Sequence, residues 1–161
     1  MSNVLRPQFK KEIIKGTQNA KNIANQIKRA ILESSIAADS IAHKFKGRTK
    51  FITCFNIYDY LRRNIEYKRE GEDLQTAKTI QRILYDKKGD CKHYTIFSCA
   101  ILRSLGIPCE MRLISQNFYS TEPTHIYCVA YIQGQEIIVD SCMKSFNNEA
   151  QYKYKYNLKI K

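Results

Sequence analysis

Two apolar runs in the second half of the chain are separated by only three residues, and this spacing constrains the fold more than any other feature. The runs are HIYCVAYI, residues 125–132, and EIIVD, residues 136–140, with QGQ between them. A glycine-centred connection this short is typical of two antiparallel strands. A further strand-like run, Cys109–Ser115, precedes them. We therefore predict an antiparallel sheet of at least three strands.

The first half of the chain has helical periodicity instead. Apolar side chains recur at steps of three and four from Ile23 to Phe45, which predicts one long helix over 17–46. Further helices are predicted over 50–63, 74–84 and 91–105, the last closed by Gly106 and Pro108. Helices followed by a sheet predict an α+β fold.

Length and composition favour one globular domain. The chain has 161 residues, of which 43% are apolar, enough for one core. We expect a single domain over 1–161, with a basic helical extension (1–48), a core (50–143) and a basic tail (144–161). The sequence has no apolar run of membrane-spanning length and no apolar leader near Met1. We therefore expect a cytoplasmic location, or one inside a phage particle assembled there.

The positive charge is concentrated near the N-terminus. The formal net charge is +12, and residues 1–50 hold 11 Lys or Arg against 3 Asp or Glu. This distribution predicts weak contact with nucleic acid or another polyanion through the basic N-terminal helix. A solvated lysine-rich face accounts for the same charge without a partner.

Cys91 has the local context of a nucleophile. In the stretch KKGDCKHYTIF, Gly89 allows a turn, Asp90 suits a helix N-cap, and Cys91 falls in the first helical turn. The free N–H groups and dipole at a helix start favour a thiolate and can also hold an oxyanion. His93 lies about 200° around the helix from Cys91, so it is a poor choice of base.

His125 and Asp140 supply the remaining chemistry. His125 begins a strand after a proline-containing loop, and Asp140 ends the next strand, where a buried carboxylate needs a partner. A hairpin centred on Gly134 pairs residues whose numbers add up to about 266–268, which places His125 opposite residues 141–143, close to Asp140. Asp140 would then orient the His125 ring and leave its other nitrogen for Cys91.

This order of residues resembles the transglutaminase-like superfamily. The stretch GDCKHYTIFSCAILRSLGIPCEMRLIS resembles that family's cysteine helix and following strand, and HIYCVAYI and EIIVDSC resemble its histidine and aspartate strands. Ile65–Tyr67 resembles the apolar-x-Tyr segment that often precedes the cysteine helix. The lysine-, asparagine- and isoleucine-rich composition is also similar to that of compact members encoded by phage or mobile-element genomes.

The resemblance implies a papain-like fold with a Cys91–His125–Asp140 triad and no cofactor or metal. It implies acyl transfer from an amide or ester through a thioester, as a protease, amidase, deamidase or transglutaminase. The substrate would be a protein or peptide, attacked at a Gln or Asn side chain or at a peptide amide. Gln81 and Tyr85 are the candidates for the upstream side-chain donor to the oxyanion. The family often has Trp after the histidine, whereas Ile126 and Tyr127 follow His125 here.

Alternatives remain open from the sequence. The chain could be a non-catalytic transglutaminase-like module, such as a basic component of a virion. A zinc site of Cys91, His125 and Cys142 has acceptable ligand types but lacks paired-ligand spacing. Cys142 could instead form a regulatory disulfide with Cys91. The other cysteines, Cys99, Cys109 and Cys128 among them, are interpreted as core or sheet positions.

Overall fold

The computed structural model describes the backbone of residues 11–13 and all of residues 20–71 and 75–160. The first part of this chain is mainly helical. Strand β1 spans Lys11–Ile13, helix α1 Ala20–Glu33 and helix α2 Ser35–Ile41; a short 3₁₀ segment, Ala42–Phe45, follows, and then helix α3, Lys50–Asn64. Strand β2 covers Glu66–Tyr67, β3 Thr76–Lys78, helix α4 Ile80–Asp86 and strand β4 Lys88–Gly89.

The second part contains the central helix and the main sheet. Helix α5 spans Cys91–Ser104, and strands β5, β6, β7 and β8 span Cys109–Ser115, His125–Ile132, Gln135–Val139 and Tyr154–Leu158. The strands lie in the order β7–β6–β5–β8, and every neighbouring pair is antiparallel. The α+β prediction is confirmed. The sheet gains its fourth strand, β8, from residues that the sequence interpretation assigns to a basic tail.

The β6–β7 hairpin has the predicted register. Ile132 lies opposite Gln135, and the two residues between them have positive φ angles, 52° at Gln133 and 78° at Gly134. Positive φ at both central positions defines the tight turn whose twist matches paired strands. Cys128 lies opposite Val139, so the ends of the two strands bring His125 near the residues that follow Val139.

Helix α5 lies at the centre of the core. Every residue from Lys92 to Leu102 is buried, because β5 and β6 cover one side of the helix and α1 to α4 cover the others. Phe97 and Ile101 are fully buried there. Each such side chain contributes about 1.5–3 kcal/mol, so the helix that begins at Cys91 is anchored along its whole length.

Two helix predictions differ from the structure. The helix predicted over 17–46 is divided near Ser34. The Ser34 hydroxyl donates to the carbonyl of Ala30 and accepts the N–H of Ile80. Residues 17–19 lie outside the described residues. The helix predicted over 74–84 is wrong in its first half, because Thr76–Lys78 forms strand β3 opposite β1. The partner strand, residues 11–13, is distant in the sequence, and helical periodicity contains no information about such a pairing. No helix in the described ranges is long and apolar enough to cross a membrane.

Candidate active site

A short parallel strand pair positions the start of helix α5. Tyr67 lies opposite Gly89, and the N–H of Lys68 donates to the Gly89 carbonyl at 2.8 Å. A Cβ atom on Gly89 would lie 2.7 Å from the Cβ of His93. Such a contact is too close for any side chain. Gly89 is therefore required because a larger residue would not fit between the strand and the helix. The sequence predicted a tight turn at Gly89, but its φ angle is not in the positive range that favours glycine.

Asp90 caps the helix as predicted. Its carboxylate accepts the backbone N–H of Lys92 at 3.0 Å, and the side-chain ammonium of Lys92 forms an ion pair with it. Burial raises the pKa of Asp90, but the positive charge and hydrogen bonds of Lys92 oppose burial, and this pKa lies well below its usual range. The cap is thus a buried, charged carboxylate directly next to Cys91.

His93 has a structural role in the same cap. Its Nδ1 accepts the backbone N–H of Asp90 at 3.0 Å, and its Nε2 lies 2.9 Å from the Thr76 carbonyl. A ring that accepts at Nδ1 and donates at Nε2 is neutral. The imidazole is fully buried and ties β3 to the start of α5. His93 is therefore unavailable as a base for Cys91, in line with the helical geometry.

One backbone donor at this helix start stays free. Asp90 accepts the N–H groups of Lys92, His93 and Tyr94 through its side chain or its carbonyl. The Cys91 N–H has no acceptor among the residues that the structure describes. This N–H belongs to the first residue of the helix, where a helix start binds negative charge most readily.

His125 and Asp140 form a close pair. Nε2 of His125 lies 2.7 Å from Oδ2 of Asp140, and the Asp140 side chain is almost completely buried. The second carboxylate oxygen accepts the N–H of Cys142 at 3.0 Å. Because Nε2 is occupied by the carboxylate, Nδ1 is the ring nitrogen left for a thiol.

Helix α3 holds the segment that carries Asp140. The guanidinium of Arg62 donates to the carbonyls of Ser141 and Met143 at 3.1 and 2.9 Å. The Tyr58 hydroxyl donates to the Met143 carbonyl at 2.8 Å. These bonds immobilise the chain immediately after β7, so the carboxylate has a fixed orientation toward His125.

The environment of His125 favours its charged form. Burial lowers the pKa of His125, but hydrogen bonds and negative charge from Asp140 and Cys91 raise it to about 10. Cys91 and His125 line the same cavity, of about 370 Å³, together with Asp90, Tyr67 and Gln116. The structure thus brings Cys91, His125 and Asp140 together from α5, β6 and the end of β7.

Gln81 and Tyr85 lie elsewhere. Neither residue lines the cavity that contains Cys91. The side-chain amide of Gln81 is buried in helix α4 without a hydrogen-bond partner in the described part of the chain, and Tyr85 is 72% exposed. The cavity contains Tyr67 instead. Its signal in the sequence was the apolar-x-Tyr segment, but the β2–β4 pairing that brings it beside Gly89 joins segments too distant for local patterns to show.

The Tyr67 phenol is available as a hydrogen-bond donor. Burial and then the negative charge of Cys91 raise the pKa of Tyr67, so its hydroxyl keeps its proton. The ring packs edge-on against Tyr94, with centroids 5.8 Å apart. This contact holds Tyr67 over the first turn of helix α5.

Cys142 lies close to the same groups. Burial and the charges of Asp140 and Cys91 raise the pKa of Cys142, so it remains a thiol. Ligand atoms of His125, Asp140 and Cys142 lie within 4.8 Å of one another. The zinc site considered from the sequence has Cys91 in place of Asp140. In the set found in the structure, the Asp140 carboxylate is already bonded to His125.

Comparisons with known proteins identify the same region. The model of the transglutaminase-like superfamily matches residues 39–141. A candidate protease from Parabacteroides distasonis aligns over 80% of this chain with a TM-score of 0.63 and 15% identity. A candidate cysteine protease from Cytophaga hutchinsonii aligns over 66% of the chain with a TM-score of 0.53 and 22% identity. The chain spans 27% and 37% of the lengths of these two proteins. Comparison with curated proteins gives no match.

Proposed function

The chain belongs to the transglutaminase-like superfamily, and from this premise we propose that it is a cysteine-dependent enzyme that transfers acyl groups from amides or esters. Cys91 is the nucleophile, His125 the base and acid, and Asp140 the group that orients His125. The observation that carries the proposal is the His125 ring, bonded through Nε2 to a buried carboxylate and coupled to Cys91 on its other side.

The first half-reaction forms a thioester. The Cys91 thiolate attacks the acyl carbon, and the carbonyl electron pair moves onto oxygen. The resulting oxyanion accepts hydrogen bonds from the free Cys91 N–H and from the Tyr67 hydroxyl. When the tetrahedral intermediate collapses, the protonated His125 gives its proton to the leaving amine or alcohol.

The second half-reaction releases the acyl group. His125, now neutral, removes a proton from water or from an acceptor amine, and the oxygen or nitrogen attacks the thioester. Collapse expels the Cys91 thiolate and regenerates the ion pair. Water as acceptor makes the enzyme a protease, amidase or deamidase, and a lysine amine makes it a transglutaminase.

Peptides are the first substrates to test. The two solved proteins that resemble the chain are named as candidate proteases, which ranks a peptide amide before a Gln or Asn side chain. The cavity is partly enclosed by Tyr67 and Gln116 and is large enough for one side chain and the reacting amide.

An activated ester tests the chemistry before the natural substrate is known. We expect p-nitrophenyl acetate to release about one phenolate per chain in a burst, with the acetyl group found on Cys91 by mass spectrometry. Cys91→Ala should abolish the burst, whereas Cys142→Ala should retain it. A burst that persists in Cys91→Ala, or an acetyl group on another residue, would contradict the proposal. Faster turnover with added amine identifies a transferase, and no acceleration identifies a hydrolase.

A further inference from the structure

Three cysteines outside the candidate active site converge in the core. The Sγ atoms of Cys99 on α5, Cys109 on β5 and Cys128 on β6 all lie within 4.8 Å of one another. Cys99 and Cys128 are completely buried, and Cys109 is partly exposed. Three sulfurs around one metal ion, with bonds of about 2.3 Å, are separated by roughly 4 Å. Small side-chain rotations would bring these thiols to that spacing.

The arrangement is unsuited to a disulfide between the two strands. Cys109 lies opposite Ala130, and Cys128 lies opposite Met111, so the two cysteines are diagonal neighbours. Diagonal neighbours on paired strands are separated by about 7–8 Å, and their Cβ atoms by somewhat less. A disulfide needs a Cβ–Cβ separation of about 4 Å. The Cys109 thiol is instead directed at the Cys99 carbonyl, 3.8 Å away.

A positive charge lies close to the cluster. The guanidinium of Arg103 interacts electrostatically with both Cys109 and Cys99. This cation offsets part of the negative charge that sulfur ligands carry when they bind a metal ion.

We infer that Cys99, Cys109 and Cys128 form a three-sulfur site for a soft monovalent d¹⁰ cation of the Cu(I) type. Thiolate sulfur selects such ions, and structural zinc sites normally complete four ligands. As each sulfur–metal bond forms, the ligand thiol releases its proton to solvent, and no electron is transferred. Cys109, partly exposed at the start of β5 after Pro108, is the route of entry.

The fourth nearby thiol is unsuited as a ligand. The sulfur of Cys54 lies outside the group of three sulfurs that are within 4.8 Å of one another. Placing this thiol on the metal would require a fourth deprotonation in a completely buried position. The site is therefore expected to be three-coordinate.

Anaerobic Cu(I) titration of the reduced 161-residue chain, in competition with a colorimetric chelator, tests the site. We expect one tightly bound Cu(I) per chain, with three sulfur neighbours and no nitrogen in its X-ray absorption spectrum. A nitrogen neighbour would locate the ion at His125 and overturn the inference, as would the absence of tight binding. This measurement on the unaltered protein does not depend on the folding of any variant.

Matched variants separate the cluster from the active site. Cys109→Ala should weaken Cu(I) binding by roughly 100-fold or more. Loss of a group that only hydrogen-bonds to a metal ligand already lowers metal affinity by up to about 100-fold, and this variant removes a ligand itself. Cys91→Ala and Cys142→Ala should leave binding unchanged. Unchanged binding in Cys109→Ala, or loss of binding in Cys91→Ala, would contradict the site. Because Cys91→Ala removes acyl transfer but not this cluster, the two proposals can fail independently.

Discussion

At the level of single residues, the proposed reaction of Cys91 depends on a backbone N–H donor that its neighbours do not use. Asp90 accepts the next three N–H groups of the helix, which leaves the Cys91 N–H free to bind an oxyanion. Oxyanion holes combine backbone N–H groups with side-chain donors. We propose the protonated Tyr67 hydroxyl, which lines the same cavity, as the second donor.

Tyr67→Phe should slow acylation by on the order of 100-fold, because removal of one oxyanion donor typically has an effect of that size. The phenyl ring keeps the contact with Tyr94, so the thermal midpoint should change little. Pre-steady-state release of p-nitrophenolate measures the acylation rate. Tyr85→Phe, at an exposed position away from the cavity, is the matched control. Equal rates in the two variants would exclude Tyr67 as a donor.

His125 should also make stability depend on pH. Its pKa is raised from 6.5 to about 10 in the folded protein, so the His125 ring holds an extra proton between these values. The stabilisation is fully present below about pH 6.5 and is lost as pH rises toward about 10, because the deprotonated ring no longer gains from the charge of Asp140.

Urea unfolding of Cys91→Ala and of the double variant Cys91→Ala/His125→Gln between about pH 6 and 10 measures the contribution of His125 and Asp140. Cys91 is replaced in both proteins because a Cys91 thiolate loses its proton on folding while His125 gains one, and these two changes would cancel in the wild type. The difference in unfolding free energy between the two variants should shrink as pH rises through this window. A difference that stays constant or grows with pH would contradict the ion pair of His125 and Asp140.

At the scale of elements, the start of helix α5 is held by packing as well as by its cap. Strands β2 and β4 fix the chain before Asp90, and His93 fills the space against Gly89. The helix start and the Tyr67 side chain are therefore set by one contact surface. Any displacement between β4 and α5 would move Cys91 relative to His125.

Gly89→Ala tests that surface. The added methyl group would lie 2.7 Å from the Cβ of His93, so we expect a loss of about 1–3 kcal/mol of unfolding free energy, typical of overpacking, and slower acylation of Cys91. Gly71→Ala is the control, since its Cβ would meet no atom within 4 Å. If both variants unfold at the same urea concentration, the close approach of residue 89 to His93 does not affect stability.

The sequence predicted elements well where periodicity is local. Helix α5 and strands β5 and β6 have the predicted bounds to within one residue, because an apolar stripe and a two-residue turn act over short distances. Strand β3 and the pair β2–β4 were missed, because their partners are distant in sequence and each strand is only two or three residues long. The same limit explains why Tyr67 was not assigned to the cavity.

At the scale of the whole molecule, a buried arginine connects the sheet to the C-terminal segment. The Arg112 side chain is fully buried on β5 and bonds to Glu136, Glu149 and Asn157. The Tyr127 hydroxyl also donates to Glu149, and the Tyr127 ring lies 5.4 Å from the His125 ring. This network links strand β8 and the loop before it to the strand that carries His125.

Arg112→Met should destabilise the chain by roughly 3 kcal/mol, because two carboxylates lose their partner near the sheet. The segment that contains Lys153 and Lys155 should become more sensitive to trypsin, as β8 loses the Arg112–Asn157 bond. Arg82→Met is the control, because its helical ion pair with Asp86 is partly exposed and contributes about 0.5 kcal/mol. Equal trypsin sensitivity in the two variants would contradict the proposed anchoring.

The proposed catalysis requires that Cys91 and His125 form a thiolate–imidazolium pair, and cysteine-resolved alkylation by iodoacetamide detects this pair. Mass spectrometry would follow each cysteine from pH 5 to 9 in wild type and His125→Ala. We predict rapid alkylation of Cys91 near pH 6, where an ordinary thiol with a pKa of about 8.5 is almost entirely protonated, and loss of this reactivity in His125→Ala. Cys109, whose lowered pKa has causes remote from His125, should react equally in both proteins. A Cys91 that reacts like an ordinary thiol, or equally in both proteins, would contradict the account and favour a binding role.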